Sequence, residues 1–388
     1  MTRIIIAGGG IAGIAAAIAA AKAGCEAVVL ERAEAFEEVG AGIQMGPNGR
    51  RALEALGVWE ALERHAVMPG AINIRRAADG ALLGQVPLDK RFRERFGSSY
   101  QVVHRADLLN ALLETARATP GIELQNGRRV SFYKVSDGTI SALTEDGLEE
   151  AGDALIGADG IRSSIREQLL GDGPPVLAGH VLYRALADIE DVPETVDTSC
   201  VTLWLHRGGH VVHYPVSAGK KFNIVAAVNE DWRSDKWSTP SRGEILTEVF
   251  SGVDSRLKAV LDIPRKWLRW AGADRKPAPL WGKGRMTLIG DAAHPTLPYL
   301  ASGAVMALED AVVLGQRLTA NRDDPAAAFR SYETIRQPRT ARIVESSHKL
   351  AGVYHAGPPL SFFRDQFIRF SSGRRGLERM AWLYDWRP

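Results

Sequence analysis

The chain has 388 residues, which is room for about two domains of ordinary size. Its residues are 45% hydrophobic and 24% charged, a composition typical of globular proteins and not of disordered or fibrous ones. The formal net charge of +2 gives no bulk attraction to nucleic acid or to a membrane, so we expect neither as a partner. Cys25 and Cys200 cannot form a disulfide framework, and no metal-ligand spacing occurs, so no metal is expected.

The first predicted elements form a dinucleotide-binding βαβ unit. A β-branched run over residues 3–7 predicts a buried parallel strand, and Gly8-x-Gly10-x-x-Gly13 follows it directly. This spacing allows a tight turn, close approach of the backbone to a pyrophosphate, and close packing of the Ala-rich helix predicted over 11–23. The N-terminus of that helix offers free N–H groups to phosphate. A second strand, over 27–30, ends at Glu31, where such a unit places its ribose ligand.

Residues 4–21 are also apolar over nearly the length of a membrane span or a signal peptide. Consecutive glycines interrupt the run and a single arginine precedes it, so the sequence disfavours a targeting segment. We therefore expect a cytoplasmic protein.

The middle of the chain departs from the α/β pattern twice. Residues 71–88 alternate around the turn pair Asp79-Gly80, which predicts a hairpin. Helix and strand signals return over residues 104–170, where Ser163 is a predicted helix cap. Three later runs joined by glycine-containing turns predict an antiparallel meander: 201–205, 209–215 and 222–228.

The α/β pattern resumes with a strand over 286–289 and a helix from about 302 to 318. The predicted fold class is therefore α/β, with a Rossmann-like FAD-binding domain and an inserted antiparallel β-sheet domain for the substrate. A cleft between the two is the expected ligand site. The predicted FAD-binding domain covers 1–70, 100–178 and 274–350, the substrate domain covers 71–99 and 179–273, and a helical segment covers 351–388.

FAD is predicted from two more motifs that follow the glycine-rich turn at wide spacing. They are Ala158-Asp159-Gly160-Ile161-Arg162 and Leu288-Ile289-Gly290-Asp291-Ala292-Ala293-His294-Pro295. Their order and separation suggest one FAD held at adenine, pyrophosphate and ribityl by distant parts of the chain. A plain NAD-dependent dehydrogenase would use the first motif alone and would leave the other two without a purpose.

With these motifs the chain resembles the single-component FAD-dependent aromatic hydroxylases, the para-hydroxybenzoate hydroxylase-like group, over nearly its whole length. Within the group it is most similar to salicylate hydroxylase, 3-hydroxybenzoate 6-hydroxylase and 6-hydroxynicotinate 3-monooxygenase. The stretches that carry the resemblance are Val39-Gly40-Ala41-Gly42-Ile43-Gln44, the segments 155–163, 210–216 and 290–295, and the ending 382–386.

The resemblance implies roles for the candidate cofactor residues. Glu31 would hold the adenosine ribose, with Arg32 beside the adenine. Arg105 and Asp159 would lie at the pyrophosphate, and Asp291 would bind the ribityl hydroxyls, because carboxylates accept from diols and guanidinium groups donate to phosphate. The remaining positions are Gly42 and Ile43 along the isoalloxazine, and Gly8, Gly10, Ala12, Gly13, Gly290, Pro295 and Gly303 in the motifs and the late helix.

The resemblance also implies the chemistry. NAD(P)H, with NADH favoured, would reduce the FAD, and O₂ would form a flavin hydroperoxide that transfers oxygen to an electron-rich ring. The substrate would be a small hydroxylated aromatic or heteroaromatic carboxylate, salicylate- or 3-hydroxybenzoate-like, attacked as its phenolate. Such a site needs a base and a dry cavity. A homodimer is left open.

The candidate catalytic residues lie on the strand over 209–216. Alternation places His210, Val212 and Tyr214 on one face and His213 on the other. In the family this strand supplies a substrate-activating histidine and a tyrosine, which match His210 and Tyr214. A partly exposed hairpin residue remains the alternative for His210, and a packed core tyrosine remains the alternative for Tyr214.

Gln44 and Tyr299 match ring-contacting positions of the family, with core or loop packing as the alternative for each. Ser302, at a position near the flavin, is the third candidate substrate residue. Ser302 is a departure, because most close relatives have glutamine there. His294 is expected to shape the loop that it follows, and Trp204 is expected to pack in the sheet. A non-hydroxylating reductase or oxidase on the same fold, or a 6-hydroxynicotinate-type hydroxylase with decarboxylation, remains the rival function.

Overall fold

The computed structural model describes residues 1–36, 41–136 and 138–387. Val39 and Gly40, from the stretch that carries part of the resemblance, lie outside the described residues. The strands run, in chain order, β1 (Arg3–Ala7), β2 (Glu26–Leu30), β3 (Gly42–Met45), β4 (Ala71–Arg76), β5 (Leu82–Pro87), β6 (Gln101–His104), β7 (Ile122–Gln125), β8 (Val130–Ser136), β9 (Thr139–Thr144), β10 (Glu149–Gly152), β11 (Ala154–Gly157), β12 (Val176–Asp188), β13 (Val201–His206), β14 (Gly209–Val216), β15 (Lys221–Asn229), β16 (Ser238–Ser241), β17 (Trp267–Asp274), β18 (Gly282–Lys283) and β19 (Met286–Leu288).

Helices connect and cover these strands, with short 3₁₀ turns at Ile189–Asp191, Gly290–Ala292 and Pro298–Leu300. The helices are α1 (Ile11–Lys22), α2 (Pro47–Leu56), α3 (Trp59–Glu63), α4 (Lys90–Phe96), α5 (Arg105–Ala118), α6 (Ser164–Leu170), α7 (Glu244–Val249), α8 (Ser255–Asp262), α9 (Gly303–Ala320), α10 (Pro325–Tyr354), α11 (Leu360–Phe370) and α12 (Arg374–Tyr384).

The first sheet is the Rossmann-like one. Its strands lie in the order β18-β19-β11-β1-β2-β7, and β19, β11, β1, β2 and β7 are parallel. Helix α1 is buried along most of its length and packs against α9, where Gly315 allows the helices to approach because a Cβ there would lie 3.0 Å from Ala19. The small residues of α1 therefore bring two helices together beneath the sheet edge.

The second sheet orders its strands β16-β17-β12-β15-β14-β13-β4-β5. The predicted hairpin and the predicted meander meet in it, since β4 pairs with β13 in parallel and the other neighbours are antiparallel. Trp204, Phe222 and Trp267 lie in the core on its far face, which also contacts α7 and α8. The predicted α/β fold with an inserted antiparallel sheet is confirmed, while the predicted domain boundaries stay a prediction.

Local signals that the sequence carried are visible in the helix ends. Ser163 caps α6 as predicted, because its Oγ accepts from Arg166 N at 2.8 Å.

Near the C-terminus of the protein, Tyr384 of α12 packs edge-on against Phe92 and Phe96 of α4. Among the described residues, none of the helices combines the length and apolar character that a bilayer crossing demands.

Candidate active site

A cavity of about 300 Å³ lies between the carboxyl ends of the parallel strands and one face of the second sheet. It has the position in which open α/β folds bind ligands. Of the predicted site residues, those that line it are Gly10, Ala12, Gly42, Ile43, Gln44, Arg105, His210, Tyr214, Asp291, Ser302 and Gly303. A shallower surface groove elsewhere is lined mainly by charged side chains such as Arg50 and Glu54, and it brings none of the predicted site residues together.

The glycine-rich turn between β1 and α1 forms the first wall. Gly13 fits only as glycine, because a Cβ there would lie 1.9 Å from the Gly8 carbonyl oxygen. Among the described residues, a Cβ at Gly10 would meet no atom within 4 Å, so this backbone is open toward the cavity. No side chain caps α1, which leaves its first N–H groups for an anion.

A second helix, α9, also begins at this cavity. Ser302 is its N-cap residue, but the Ser302 Oγ donates to the Leu300 carbonyl at 2.8 Å and does not cap the helix. Arg105, the first residue of α5, adds a positive charge to the lining. Two helix N-termini and one guanidinium therefore surround the same space, which fits the pyrophosphate and the anionic reduced ring of FAD.

Glu31 lies at the end of β2, beside the glycine-rich turn. Its carboxylate accepts from the backbone N–H groups of Gly9 at 2.6 Å and Ala33 at 2.9 Å. Arg32 is exposed beside it. A carboxylate held in this way suits a ribose diol, whose hydroxyls donate to it.

Asp159 is turned away from the cavity. Its Oδ2 accepts from Ser164 N at 2.8 Å and Ser164 Oγ at 3.1 Å, at the start of α6. Burial raises the pKa of this carboxyl, even though these hydrogen bonds act in the opposite direction. Ala158 and Gly160 line the cavity instead, so the motif faces the ligand space with backbone.

A buried ionic group holds the loop that carries Asp291. His294 Nε2 lies 2.5 Å from Asp310 Oδ2, and Asp310 Oδ1 accepts from Arg336 Nε at 2.6 Å. Gly290 N donates to the same Asp310 at 3.2 Å. Burial opposes ionisation of Asp310, yet His294 and Arg336 keep its pKa below the ordinary value. The group gives His294 a structural role in this loop, and the exposed Asp291 lies at the cavity. Pro295, the last residue of the motif, is buried.

Strand β3 lines the cavity between the two sheets. Gly42 N donates to Asn223 Oδ1 at 2.6 Å, and a Cβ on Gly42 would lie 2.4 Å from the Tyr214 ring. Gln44 Oε1 accepts from the Tyr100 hydroxyl at 2.7 Å. Burial raises the pKa of Tyr214, so its hydroxyl stays protonated and can donate.

The cavity face of the second sheet is set by the register of β12, β15 and β14. Arg184 pairs with Val225, and Val225 pairs with Val212. His210 and Tyr214 lie two residues to either side of Val212, on the same face. An apolar floor of two valines is thus flanked by an imidazole, a phenol and a guanidinium. The Arg184 guanidinium lies 5.4 Å from the centre of the Trp270 ring.

His213 faces the other side of the sheet, as the alternation predicts. Its Nε2 accepts from Trp204 Nε1 at 3.0 Å, inside the core. Burial lowers the pKa of His213 to about 3, and burial together with neighbouring imidazoles lowers that of His210 well below 6.5. Both rings are therefore neutral at pH 7, which is the protonation state that a general base requires.

Tyr299 is placed behind the cavity wall. Its hydroxyl lies 3.1 Å from His180 Nδ1, and its ring lies 5.2 Å from that of His210. Sequence reasoning missed Arg184 and Asn223, because each belongs to the site only through strand pairing. A lone arginine between Tyr183 and Ala185 in a buried strand was the available signal for Arg184.

Comparison with known proteins agrees with this geometry. The model of the FAD binding domain family matches residues 1–347. The 3-hydroxybenzoate 6-hydroxylase of Polaromonas naphthalenivorans is 40% identical over 384 residues, covering 99% of this chain and 96% of the relative. The enzyme of that name from Klebsiella oxytoca is 39% identical over 387 residues, covering 99% and 97%.

Solved structures give the same result. Klebsiella pneumoniae HpxO, in complex with FAD and uric acid, superposes with a TM-score of 0.87 at 28% identity, covering 99% of this chain and 97% of that one. The resemblance to the aromatic hydroxylases is thereby confirmed, and so is FAD as the cofactor. The chain belongs to the FAD binding domain family, and it is an FAD-dependent aromatic monooxygenase that uses NAD(P)H.

Proposed function

We propose that this enzyme hydroxylates 3-hydroxybenzoate, or a close analogue, at the ring carbon para to the existing hydroxyl. The observation that carries the proposal is the row of side chains on the second sheet. His210 and Arg184 lie two strands apart, roughly 10 Å across the sheet, with Val212 and Val225 between them. An aromatic ring on the valines would have its hydroxyl at the imidazole and its carboxylate at the guanidinium.

Arg184 is the proposed carboxylate anchor. A guanidinium presents a planar pair of donors that matches a carboxylate, and Arg184 lines the cavity opposite the glycine-rich wall. The face of Trp270 supports its position. The names of the relatives, which specify a hydroxybenzoate, support the same substrate class.

His210 is the proposed base. Its ring is neutral at pH 7 and can take the proton of the substrate hydroxyl, which leaves a phenolate that is electron-rich at its para carbon. Tyr214 would donate a hydrogen bond to the ring substituents, and Gln44 and Ser302 would border the ring. Bound FAD supplies the activated oxygen and accepts hydride from the nicotinamide. The apolar floor keeps water out of the reaction space.

The proposed cofactor contacts complete the site. The turn at Gly8–Gly13 and Arg105 would hold the pyrophosphate, Glu31 and Arg32 the adenosine, and Asp291 the ribityl chain. Gly42, Ile43 and Gly303 would border the isoalloxazine. NADH is the proposed electron donor, and comparing the rates of flavin reduction by NADH and NADPH tests that choice.

A substrate panel tests the proposal. The panel holds 3-hydroxybenzoate, its 2- and 4-hydroxy isomers, 3-hydroxybenzamide and 3-methoxybenzoate, with NADH and O₂ consumption measured and products identified by mass spectrometry. We expect 2,5-dihydroxybenzoate from 3-hydroxybenzoate, with NADH oxidation coupled to product. Coupled turnover of an isomer in preference to 3-hydroxybenzoate would contradict the proposed substrate.

Arg184→Met gives the matched variant for the anchor. Charged hydrogen bonds are worth roughly 1.5–3 kcal/mol, so we expect KM for 3-hydroxybenzoate to rise about 10- to 150-fold. KM for the neutral amide should change little, because the amide has no charge for the guanidinium to bind. Equal losses for both compounds would remove Arg184 from this role.

Two expectations about the surroundings of the enzyme belong to the same proposal. We propose a homodimer, for which the exposed phenylalanines of α11 (Phe362, Phe363, Phe367 and Phe370) are the candidate surface. Sedimentation of the parent and of Phe363→Glu tests this assembly. A cytoplasmic location is the second expectation, and cell fractionation tests it.

A further inference from the structure

A chain of hydrogen bonds leads from His210 out of the cavity to the protein surface. His210 Nδ1 lies 2.9 Å from His355 Nε2, and His355 Nδ1 lies 2.7 Å from Asn229 Oδ1. His210 and His355 are buried, with 5% and 8% of their surfaces exposed, while Asn229 is exposed at the end of β15. His355 follows the last turn of α10, far from His210 in sequence, and it does not line the cavity.

These hydrogen bonds determine which histidine nitrogens carry protons. A carboxamide oxygen only accepts, so His355 Nδ1 must carry the hydrogen that it donates to Asn229. In neutral His355 the other nitrogen, Nε2, is then an acceptor, and His210 Nδ1 must donate to it. His210 is therefore the Nδ1–H tautomer, with its Nε2 unprotonated and left for a ligand in the cavity.

The groups that face this pair favour the neutral state. They are His180 on β12, His206 on β13, Tyr299 in the turn before α9, and Tyr354 on α10. Burial, with the nearby His180 and His206, lowers the pKa of His355 to about 4. Burial, with the nearby His355 and His180, lowers the pKa of His210 well below its ordinary value. Within the described residues these side chains do not form a metal site.

We propose that His355 is a positioning residue that fixes the tautomer of His210 and so directs the unprotonated Nε2 of His210 at the substrate hydroxyl. This inference rests on the proposed function. In the step that it serves, the substrate O–H bond breaks, its electron pair stays on oxygen, and the proton binds to His210 Nε2. The resulting imidazolium keeps its Nδ1–H bond to His355, which stabilises the charge.

His355→Leu and His355→Gln test the inference as a pair. Glutamine can place a carboxamide oxygen where His355 Nε2 accepts, whereas leucine fills similar space without an acceptor. The readout is the absorbance of bound 3-hydroxybenzoate as phenolate against pH, with coupled hydroxylation measured in parallel. In the leucine variant we expect the phenolate midpoint to rise by about one pH unit and hydroxylation to fall about 10- to 100-fold, less than the roughly 10⁴-fold cost of enforcing a wrong catalytic tautomer.

The glutamine variant should remain near the parent in both readouts, and both variants should retain FAD and the substrate-free rate of NADH oxidation. A parent-like midpoint and rate in His355→Leu would overturn the inference, provided that His210→Ala has lost hydroxylation. If His210→Ala hydroxylates normally, the proposed role of His210 as base fails, whereas a parent enzyme without coupled turnover of 3-hydroxybenzoate would contradict the proposed function itself.

The tautomer can also be read without a substitution at His355. Long-range ¹H–¹⁵N NMR of the holoenzyme labelled with ¹⁵N-histidine, with His210→Ala used for assignment, distinguishes the two neutral forms. We expect a protonated Nδ1 and an unprotonated Nε2 on His210 at pH 7. The opposite tautomer would overturn the inference even if the His355 variants fail to fold.

Discussion

The two walls of the cavity are built by different means. The wall on the Rossmann-like side is built on the backbone of the turn at Gly10 and of the N-termini of α1 and α9, to which Arg105 and Asp291 add charged side chains. The wall on the second sheet consists of side chains, with His210 and Tyr214 on β14 and Arg184 on β12, two strands away. The backbone wall is the proposed binding surface for the cofactor, which is the same whatever the aromatic substrate. The side-chain wall is the proposed binding surface for the substrate, and a single substitution can change its chemistry.

The largest effect is expected from a substitution in the backbone wall. Gly13→Ala would place a methyl group 1.9 Å from the Gly8 carbonyl oxygen, and neither backbone segment can move without opening the βαβ unit. We expect the cost to exceed the roughly 1–3 kcal/mol of ordinary overpacking, with loss of soluble holoenzyme. Soluble yield and the ratio of FAD to protein measure this.

Gly10→Ala is the control for that variant. Its methyl group would meet no atom of the described part of the chain within 4 Å, and Gly10 lines the cavity. The variant should fold like the parent and bind FAD more weakly. Normal FAD affinity in Gly10→Ala would show that the cofactor does not approach this turn.

The next effect concerns the side-chain wall. His210→Ala removes the proposed base, and a positioned base is worth about 10²–10⁴-fold in rate. We expect hydroxylation to fall within that range while FAD reduction without substrate is unchanged, as rapid-mixing kinetics can measure. His213→Ala, on the opposite face of the same strand, should hydroxylate normally and lose about 1–3 kcal/mol of stability, because Trp204 Nε1 loses its buried acceptor. The reverse pattern would exclude His210 as the base.

Acid should lower the free energy of unfolding through His355, the hydrogen-bond partner of His210. The pKa of His355 is lowered to about 4 in the folded protein, against 6.5 when unfolded. Between these values the unfolded chain binds the proton and the folded one does not, so stability is complete above pH 6.5 and falls toward pH 4. At 1.36 kcal/mol per pKa unit, the contribution of His355 to this loss is at most about 3 kcal/mol. His210 and His213, whose pKa values are also lowered by burial, add losses of the same sign. Urea unfolding at pH 7.5, 6 and 5 measures the total, and His355→Gln should reduce the dependence on pH.

The smallest effect is expected from a substitution on the cofactor side of the cavity. Glu31→Ala should weaken FAD retention by roughly 1.5–3 kcal/mol, because hydrogen bonds to a charged group are lost. Folding should be largely preserved, since Glu31 is half-buried and its hydrogen bonds within the described ranges come from the backbone of Gly9 and Ala33. Dialysis titration of FAD against both proteins gives the difference. Parent-like retention would exclude Glu31 from the ribose site.

The sequence by itself determined the backbone wall, because glycine spacing, strand runs and helix caps are local signals. It also determined the faces of β14, since side chains alternate along any strand, and His210, Val212 and Tyr214 line the cavity while His213 does not. The confirmed α/β fold follows from the same patterns.

Only the tertiary structure decided which residues of different strands meet, and which residue after α10 contacts them. Arg184 reaches the cavity through the pairing of β12 with β15, and His355 reaches His210 because α10 ends behind β14. The Asp159 carboxylate accepts from α6 and the Tyr299 hydroxyl lies beside His180, although the resemblance implied that both residues face the ligand space. These placements depend on packing between segments that are distant in sequence, and no local pattern of residue types encodes such contacts.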